Sequence, residues 1–274
     1  MTYSSGKSAV ITGAGSGIGR ALAQQLNREG CTLFLSDVDT EGLTETVASL
    51  DRPEVATHTQ CVDVADKLAM DAWAESIAAQ QPAVDIVINN AGVGYSDRVD
   101  EADYASVQWL MGINFWGVVH GTTAFLPLLK RAPRGHLVNI SSIFGMIGVP
   151  TQSAYNASKF AVRGYTEALR LEMQDSNVHV CCVHPGGVGT NIARSSRGGG
   201  NTMSADEKAA MFEHYVRTTA QSAAAQIIRA VEKQQPRLLI GSDAKFIHFL
   251  TRLFPVSYPR FLPGLGQAGR KKSG

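Results

Sequence analysis

The sequence SAVITGAGSGIGRALAQQLNR, residues 8–28, predicts a strand, a glycine-rich turn and a helix in immediate succession. Residues 8–12 form a short apolar run typical of a buried strand, and residues 20–28 are amphipathic. Glycine suits the turn because it adopts backbone angles closed to other residues and lets a pyrophosphate approach the main chain. The free N–H groups and the dipole of the helix N-terminus favour such an anion. The unit therefore indicates a dinucleotide site, with a flexible loop as the alternative.

An acidic residue supports the dinucleotide interpretation. Asp37 closes the second predicted strand, residues 32–36, eighteen positions after Gly19. A carboxylate at this place accepts hydrogen bonds from the adenosine ribose hydroxyls and repels a 2′-phosphate.

The residues around Asp37 bear on the choice of cofactor. The turn contains Ser16, and Val38 and Asp39 follow Asp37, so none of these positions supplies a positive charge for a 2′-phosphate. Arg20 lies beyond the last glycine and is expected on the helix surface. The sequence therefore favours NAD over NADP.

Tyr155 and Lys159 are four residues apart in SAYNASKFAV, residues 153–162, thirteen positions after Ser142. On a helix this spacing places both side chains on one face. A nearby ammonium stabilises a phenolate and lowers the tyrosine pKa from about 10 towards the working range of a general acid/base. An exposed helical pair without a catalytic role is the alternative.

These motifs, together with Asn89-Asn90-Ala91-Gly92 and Pro185-Gly186, resemble in order and spacing those of the short-chain dehydrogenases/reductases. The resemblance runs from about residue 7 to residue 240. It implies a Rossmann-type α/β fold, with a doubly wound parallel sheet flanked by helices on both faces. It also implies hydride transfer between a secondary alcohol and a nicotinamide cofactor. The catalytic residues that it implies are Asn114, Ser142, Tyr155 and Lys159.

The resemblance further implies a set of cofactor-binding residues. Asp63 and Val64 would contact the adenine, and Val188 and Thr190 the nicotinamide amide. Asp63 also suits an Asx turn or a helix cap, and Thr190 suits a helix N-cap. The full set is Gly13, Ser16, Gly17, Ile18, Gly19, Asp37, Asp63, Val64, Asn90, Ala91, Gly92, Tyr155, Lys159, Pro185, Gly186, Val188 and Thr190.

Composition is that of one globular domain. The chain has 274 residues, of which 44% are hydrophobic and 18% charged, enough for a substantial core. We predict a catalytic domain over residues 1–240, with a substrate loop at about 190–215, and a basic amphipathic extension over 241–274. A formal net charge of +1 does not indicate nucleic-acid binding.

Targeting and metal signals are lacking in the sequence. No apolar run reaches the ~18 residues of a membrane span, and residues 1–7 do not resemble a signal peptide. These features predict a soluble, cytoplasmic protein. Cys31, Cys61, Cys181 and Cys182 fall in or beside predicted buried strands without zinc-site spacing, so we expect buried thiols and no metal.

The C-terminal extension combines apolar and basic residues. Residues 236–274 hold seven Lys/Arg and one acidic residue, Asp243. The spacing of six apolar residues predicts one face of a short helix that Pro255 ends. They are Phe246, Ile247, Phe249, Leu250, Leu253 and Phe254. This face would pack on the protein or on a neighbouring subunit; alternatively, it would make weak contact with a membrane surface or form the mouth for a greasy substrate.

The candidate substrate lining is mainly apolar and favours a bulky apolar alcohol. It comprises Ile143, Phe144, Met146, Val149, Ile192 and residues 195–215 with Met203, Met211 and Phe212. Arg194 and Arg197 would bind a carboxylate or, alternatively, remain solvated. A non-catalytic NAD(H) sensor or scaffold on the same fold is the alternative function. Family resemblance implies a homodimer or homotetramer, assembled through helices at about 102–130 and 153–173.

Overall fold

The computed structural model describes residues 2–190, 192, 196–198 and 216–262. Within these residues, the strands are β1 Ser8–Thr12, β2 Thr32–Asp37, β3 Thr57–Cys61, β4 Ile86–Asn89, β5 Tyr95–Ser96, β6 Gly135–Ile140, β7 Val178–Pro185, β8 Arg197–Gly198 and β9 Arg237–Ile240. Seven of them form one parallel sheet in the order β3-β2-β1-β4-β6-β7-β9, and β5 pairs with β8. Because the strand order reverses between β1 and β4, the sheet has a switch point there, where ligands bind in folds of this kind.

Helices cover both faces of the sheet. The α-helices are α1 Gly17–Arg28, α2 Thr40–Ala48, α3 Lys67–Ala78, α4 Tyr104–Met111, α5 Gly117–Arg131, α6 Ser153–Glu172, α7 Ala220–Glu232 and α8 Ser242–Leu253. A π-helical turn, Gly112–Trp116, joins α4 to α5, and 3₁₀ turns lie at Ile143–Gly145 and Tyr258–Phe261. The predicted doubly wound α/β fold is confirmed.

Side chains alternate between two cores along each central strand. In β2, Leu33 and Leu35 pack with α1 and α7 on one face, whereas Phe34 packs with α3 and α5 on the other. Successive strand residues point to opposite faces, and here both faces are buried. This two-sided burial explains the nearly continuous apolar runs in the sequence.

The edge strand β3 departs from this pattern. Four of its five residues are exposed, including Cys61, so the prediction that all four cysteines are buried is wrong for this one. An edge strand needs fewer apolar residues because less of it is covered. The other three cysteines are buried and free, and no cluster of metal-ligating side chains occurs in the described part of the chain.

Helix α8 buries only part of its predicted apolar face. Ala244 and Leu250 are buried, and Ile247 packs on the 3₁₀ turn at 143–145. Phe246 and Phe249 point outward with 56% and 62% of their surface exposed. The predicted face therefore contacts the body of the protein only in part, and the rest of it is exposed. No helix among the described residues has the length and hydropathy needed to cross a membrane.

Candidate active site

The glycine turn after β1 brings bare main chain to the switch point of the sheet. Gly13 and Gly17 have φ of +67° and +52°, a region that favours glycine. A Cβ on Gly13 would lie 2.7 Å from the Cα of Ala91. Helix α1 begins at Gly17, and its N-cap, Ser16, makes no side-chain capping bond to the described residues. The turn can therefore present N–H groups to an anion.

The ends of β1 and β4 are tied together beside this turn. The Thr12 hydroxyl accepts hydrogen bonds from the N–H groups of Asn90 and Ala91, at 3.0 and 3.1 Å. The Asn90 side-chain amide donates to the carbonyls of Thr12 and Gly13. Asn90 thus stabilises the turn through its side chain. Thr12, for which the sequence predicted no separate role, stabilises it through its hydroxyl.

Asp37 stands at the end of β2 and contacts the glycine turn directly. Its Oδ2 accepts a hydrogen bond from the Gly15 N–H at 2.8 Å, and its Oδ1 accepts one from the Asp39 N–H at 3.1 Å. The carboxylate is thereby oriented beside the turn by two main-chain donors.

Arg20 lies at the surface of α1, as expected, with 29% of its side chain exposed, but it also makes contacts that the sequence did not predict. Its guanidinium donates to the Gly15 carbonyl, to the Thr46 hydroxyl and to the Glu45 carboxylate. The sequence does not reveal these partners because α2 approaches the turn only in the folded chain. Arg20 joins the turn to α2.

The two residues assigned to the adenine differ in their surroundings. The Asp63 side chain accepts a hydrogen bond from the Ala65 N–H at 2.9 Å, which is the Asx turn given as the alternative. Val64 is buried against Gly117, where a Cβ would lie 2.6 Å from a Val64 methyl carbon.

The π-helical turn directs Asn114 into the protein. Asn114 is buried, and its side chain makes hydrogen bonds to both main-chain polar groups of Val93 and to the Ser158 hydroxyl. Turns of this type disrupt the regular helix ladder and occur frequently at functional sites. A Cβ on Gly92 would lie 3.2 Å from Asn114 Oδ1 and 3.3 Å from Lys159 Nζ. Asn114 and Lys159 therefore converge on Gly92.

Tyr155 and Lys159 lie on the first turns of α6, as the spacing predicted. Lys159 is buried, and its ammonium donates to the Ile140 carbonyl at 3.2 Å. The Lys159 nitrogen is 5.8 Å from the centre of the Tyr155 ring. Burial lowers the pKa of Lys159 to about 8, because the charged form loses its hydration.

The pKa of Tyr155 corrects one prediction. Burial raises this pKa to about 12, and a hydrogen bond with the Ser142 side chain opposes the rise. The prediction that Lys159 lowers the pKa of Tyr155 below its ordinary value is therefore wrong for this structure. The Ser142 hydroxyl accepts a hydrogen bond from the Phe144 N–H at 3.1 Å, and the Phe144 ring lies edge-on to Tyr155. Ser142 and Tyr155 are thus brought together, as predicted.

Two groups of buried polar residues were given no individual role by the sequence analysis. His184 on β7 is fully buried, and its Nδ1 lies 3.1 Å from the carbonyl oxygen of Ser142. Burial lowers the His184 pKa to about 4, so the ring is neutral and Nδ1–H donates. Asn89 donates to Asn139 at 2.8 Å, and Asn139 donates to the Thr166 hydroxyl. Polar residues inside apolar strands are the signal that could have revealed both groups.

The turn after β7 meets the glycine turn. Pro185 ends the strand, and Val188 is buried where it pairs with Thr218. The methyl carbon of Thr190 lies 3.1 Å from the position of a Cβ on Gly17. The structure therefore brings the residues assigned to the pyrophosphate and those assigned to the nicotinamide to one edge of the sheet.

The described part of the predicted substrate loop contacts β5 and α4. Arg197 in β8 pairs with Tyr95, and its guanidinium lies 3.8 Å from the centre of the Trp109 ring. Arg197 is exposed, which agrees with the solvated alternative, and its guanidinium also stacks on this ring. Ile143 and Met146 of the predicted lining are buried in a cluster with Ala244 of α8. Arg194, Met203, Met211 and Phe212 lie outside the described residues.

The buried ammonium of Lys159 carries a stability prediction. Lys159→Met should raise the free energy of unfolding near neutral pH by up to about 3 kcal/mol, because the folded-state pKa of about 8 lies below the ordinary value of 10.5. Below pH 8 both states hold the proton and the whole cost is present. Between about 8 and 10.5 the unfolded state binds more protons, so the wild type gains stability and the advantage of the variant shrinks. Urea unfolding near pH 7 and near pH 10 measures both effects.

Lys130→Met, at an exposed position of α5, is the matched control and should change the free energy of unfolding little at either pH. A Lys159→Met protein less stable than the wild type near neutral pH would contradict the prediction.

The doubly wound sheet and the glycine turn define a protein of the Rossmann type. Comparison with known proteins agrees: residues 7–199 match the family model of the short chain dehydrogenases. The chain therefore belongs to the short chain dehydrogenase family.

Individual relatives cover most of the chain. SadH of Mycobacterium tuberculosis, whose name assigns it to the oxidoreductases without a substrate, is 44% identical over 268 residues, which is 96% of each chain. A 3-ketodihydrosphingosine reductase of Bacteroides thetaiotaomicron is 38% identical over 184 residues, covering 67% of this chain and 64% of that protein. Among solved structures, a short chain dehydrogenase/reductase from Burkholderia phymatum in complex with NAD is 29% identical, with a TM-score of 0.84, covering 92% of this chain and 95% of that one.

Proposed function

We propose that this protein is an NAD-dependent oxidoreductase that transfers hydride between a secondary alcohol and nicotinamide, with Tyr155 as the acid/base. The observation that carries the proposal is the convergence of Asn114, Ser142, Tyr155 and Lys159 next to the glycine turn. The alternative, a non-catalytic sensor or scaffold, has no chemical need for the whole group.

The residues present fit a nicotinamide dinucleotide. Gly13 lets the turn pack closely on Ala91, and at the start of α1 the Ser16 side chain does not occupy the N–H groups, which suits a phosphate there. Asp37 would hold the adenosine ribose, and the turn after β7 would hold the nicotinamide end. When bound, the cofactor supplies the hydride acceptor or donor.

Residues of the chain transfer the proton of the substrate hydroxyl. In alcohol oxidation, Tyr155 takes the hydroxyl proton, and the Ser142 hydroxyl holds the same oxygen by a hydrogen bond. In carbonyl reduction, the Tyr155 phenol donates that proton, and a pKa of about 12 keeps it protonated and ready. Oxidation requires the phenolate, so it depends on positive charge near Tyr155, which Lys159 provides below its pKa of about 8. Asn114 would link Lys159 to solvent through water.

The preference for NAD over NADP is supported by the charges around the end of β2. The Asp37 carboxylate is fixed there by Gly15 and Asp39, and the side chain of Val38 is 63% exposed and uncharged. The Arg20 guanidinium is engaged with Glu45 and the turn.

A bulky apolar substrate is supported by the surroundings of the catalytic group. Phe144 lies against Tyr155, and the apolar cluster of Ile143 and Met146 follows Ser142 in the chain. One relative is named for the reduction of a keto lipid, 3-ketodihydrosphingosine. We therefore propose lipid, aromatic or steroid secondary alcohols and their ketones as the substrate class.

A panel of secondary alcohols from short-chain to steroid, assayed by NADH absorbance with NAD and with NADP, tests the proposal. We expect turnover with NAD on the bulky apolar members. If no member of the panel is turned over while NADH still binds in a fluorescence titration, the alternative of a non-catalytic NAD(H) sensor is favoured.

Assembly into a homodimer or homotetramer is also proposed. Four large apolar side chains are more than 40% exposed along α4 to α6, the helices that family resemblance assigns to subunit contacts. They are Tyr104, Trp116, Phe160 and Leu171.

The outward side of α8 supports weak contact with an anionic membrane surface. Phe246, Phe249 and Leu253 are each more than half exposed, and basic residues flank them. We expect Phe249→Ser to reduce co-sedimentation with vesicles containing phosphatidylserine about fivefold, because an exposed apolar anchor is lost. Leu68→Ser, which removes a 78% exposed apolar residue from α3, should leave sedimentation unchanged. Equal sedimentation of the wild type and both variants would contradict the membrane proposal.

A further inference from the structure

Asp243, in the first turn of α8, contacts the turn that follows β7. Its Oδ2 accepts a hydrogen bond from the main-chain N–H of Gly187 at 2.9 Å. A carboxylate in the first turn of a helix is commonly stabilised by the dipole of its own helix. Here it also binds a residue 56 positions earlier in the chain, so it joins the C-terminal extension to the candidate site.

The carboxylate of Asp243 fits closely between two glycines. A Cβ on Gly186 would lie 2.2 Å from Oδ2, and a Cβ on Gly241 would lie 2.2 Å from Oδ1. Gly241 also has φ of +98°, which favours glycine. Neither position can carry a side chain while Asp243 occupies this place.

Main-chain hydrogen bonds anchor the rest of this turn. The Gly186 N–H donates to the Ile240 carbonyl at 2.9 Å, and the Gly187 carbonyl accepts from the Thr218 N–H at 3.1 Å. Asp243 adds a charge-assisted bond to the Gly187 N–H, which is stronger than a neutral one. The turn is thereby fixed on both sides of the Gly187 peptide.

The hydrogen bond between Asp243 and Gly187 is accompanied by an unfavourable burial of the other carboxylate oxygen. Asp243 Oδ1 is buried and has no hydrogen-bond partner among the described residues. A buried oxygen without a partner is destabilising. Stabilising α8 alone would not require this arrangement, since a carboxylate exposed at the helix N-terminus also interacts favourably with the dipole.

The position of the turn matters for the site. Thr190, three residues after Gly187, places its methyl group against Gly17 of the glycine turn. Val188, adjacent to Gly187, is buried. A shift of the Gly187 peptide would therefore move both residues that family resemblance assigns to the nicotinamide amide.

We propose that Asp243 is a positioning residue of the cofactor site, which fixes the turn at residues 186–188 and so sets the nicotinamide end. The proposal rests on the proposed function for the identity of the cofactor. It assigns a part of the site to the C-terminal extension, outside the catalytic domain that the sequence predicted.

Asp243→Ala and Asp243→Asn test the proposal in the full chain. We expect Asp243→Ala to weaken NADH binding about tenfold and to lower kcat, because the Gly187 N–H loses its acceptor. Hydrogen exchange of the amides in residues 183–190 should quicken in the same variant. Asp243→Asn keeps an acceptor oxygen and should remain within about threefold of the wild type in NADH binding.

Asp66→Ala is the matched control. Asp66 also accepts main-chain hydrogen bonds at a helix start, from Leu68 and Ala69 of α3. This variant should lose thermal stability and leave both NADH binding and exchange in residues 183–190 unchanged. An equal loss of binding in Asp66→Ala, or equal impairment of the Asn and Ala variants at position 243, would overturn the proposal.

Hydrogen exchange and NADH binding together distinguish failure of the role of Asp243 from failure of the proposed function. Unchanged exchange and NADH binding in Asp243→Ala, with a wild type that binds NADH, would overturn the role of Asp243 alone. A wild type that fails to bind NADH or NADPH would overturn the proposed function and the cofactor part of this proposal with it.

Discussion

Tyr155→Phe is expected to lower turnover about a thousandfold while NADH binding stays near that of the wild type. The substitution removes only the hydroxyl, which would exchange a proton with the substrate oxygen. The ring that packs edge-on to Phe144 remains, so the fold and the cofactor site should be undisturbed. Steady-state turnover on the best alcohol of the panel, together with a fluorescence titration of NADH, measures both quantities.

Tyr165→Phe is the matched control on the same helix. Tyr165 is half-buried on α6, where its ring packs edge-on to Phe115, away from Ser142. Its loss of a hydroxyl should leave turnover within about twofold. Turnover in Tyr155→Phe above about a tenth of the wild-type value would rule out Tyr155 as the acid/base.

Asp37→Asn combined with Val38→Arg is expected to shift the ratio of kcat/KM for NADP to that for NAD by about a hundredfold. The change removes the carboxylate that repels a 2′-phosphate and adds a guanidinium that attracts one. Asparagine keeps an acceptor for the Gly15 N–H, so the glycine turn should hold its shape. Initial rates with each cofactor at limiting concentration give the ratio.

Asp39→Asn is the control for a general change in charge. Asp39 caps α2 by accepting a hydrogen bond from the Gly42 N–H, and asparagine serves equally well as an N-cap. The ratio should be unchanged in this variant. If the double variant also keeps the wild-type ratio, Asp37 does not determine the choice of cofactor.

The sequence predicted those features that depend on residues close together in the chain. The strand at Ser8–Thr12 and the glycine turn were evident because apolar runs and glycines carry their conformation locally. The placement of Tyr155 and Lys159 on one helix followed from their spacing. The start of α1 was predicted three residues too late, since glycine is a poor helix former and signals a turn.

Features that depend on distant partners could not be predicted in this way. The pKa of Tyr155 is raised by burial, and the burial of one side chain is set by elements far along the chain. The partners of Arg20 come from α2, and the partner of Asp243 comes from the turn after β7. On α8, the pattern of apolar residues did not show which of them meet the body of the protein.

The π-helical turn at Gly112–Trp116 has a consequence for how this chain tolerates changes in length. A π-helical turn accommodates one extra residue, and each residue of an α-helix turns the chain by about 100°. Deleting one residue between 112 and 116 would restore a regular helix but rotate α4 against α5 by that angle. After this rotation, the hydrogen bonds of Asn114 to Val93 and the burial of Phe125 and Leu129 on α5 could not both be kept. A single deletion in this turn would therefore disrupt either the hydrogen bonds of Asn114 or the packing of α5.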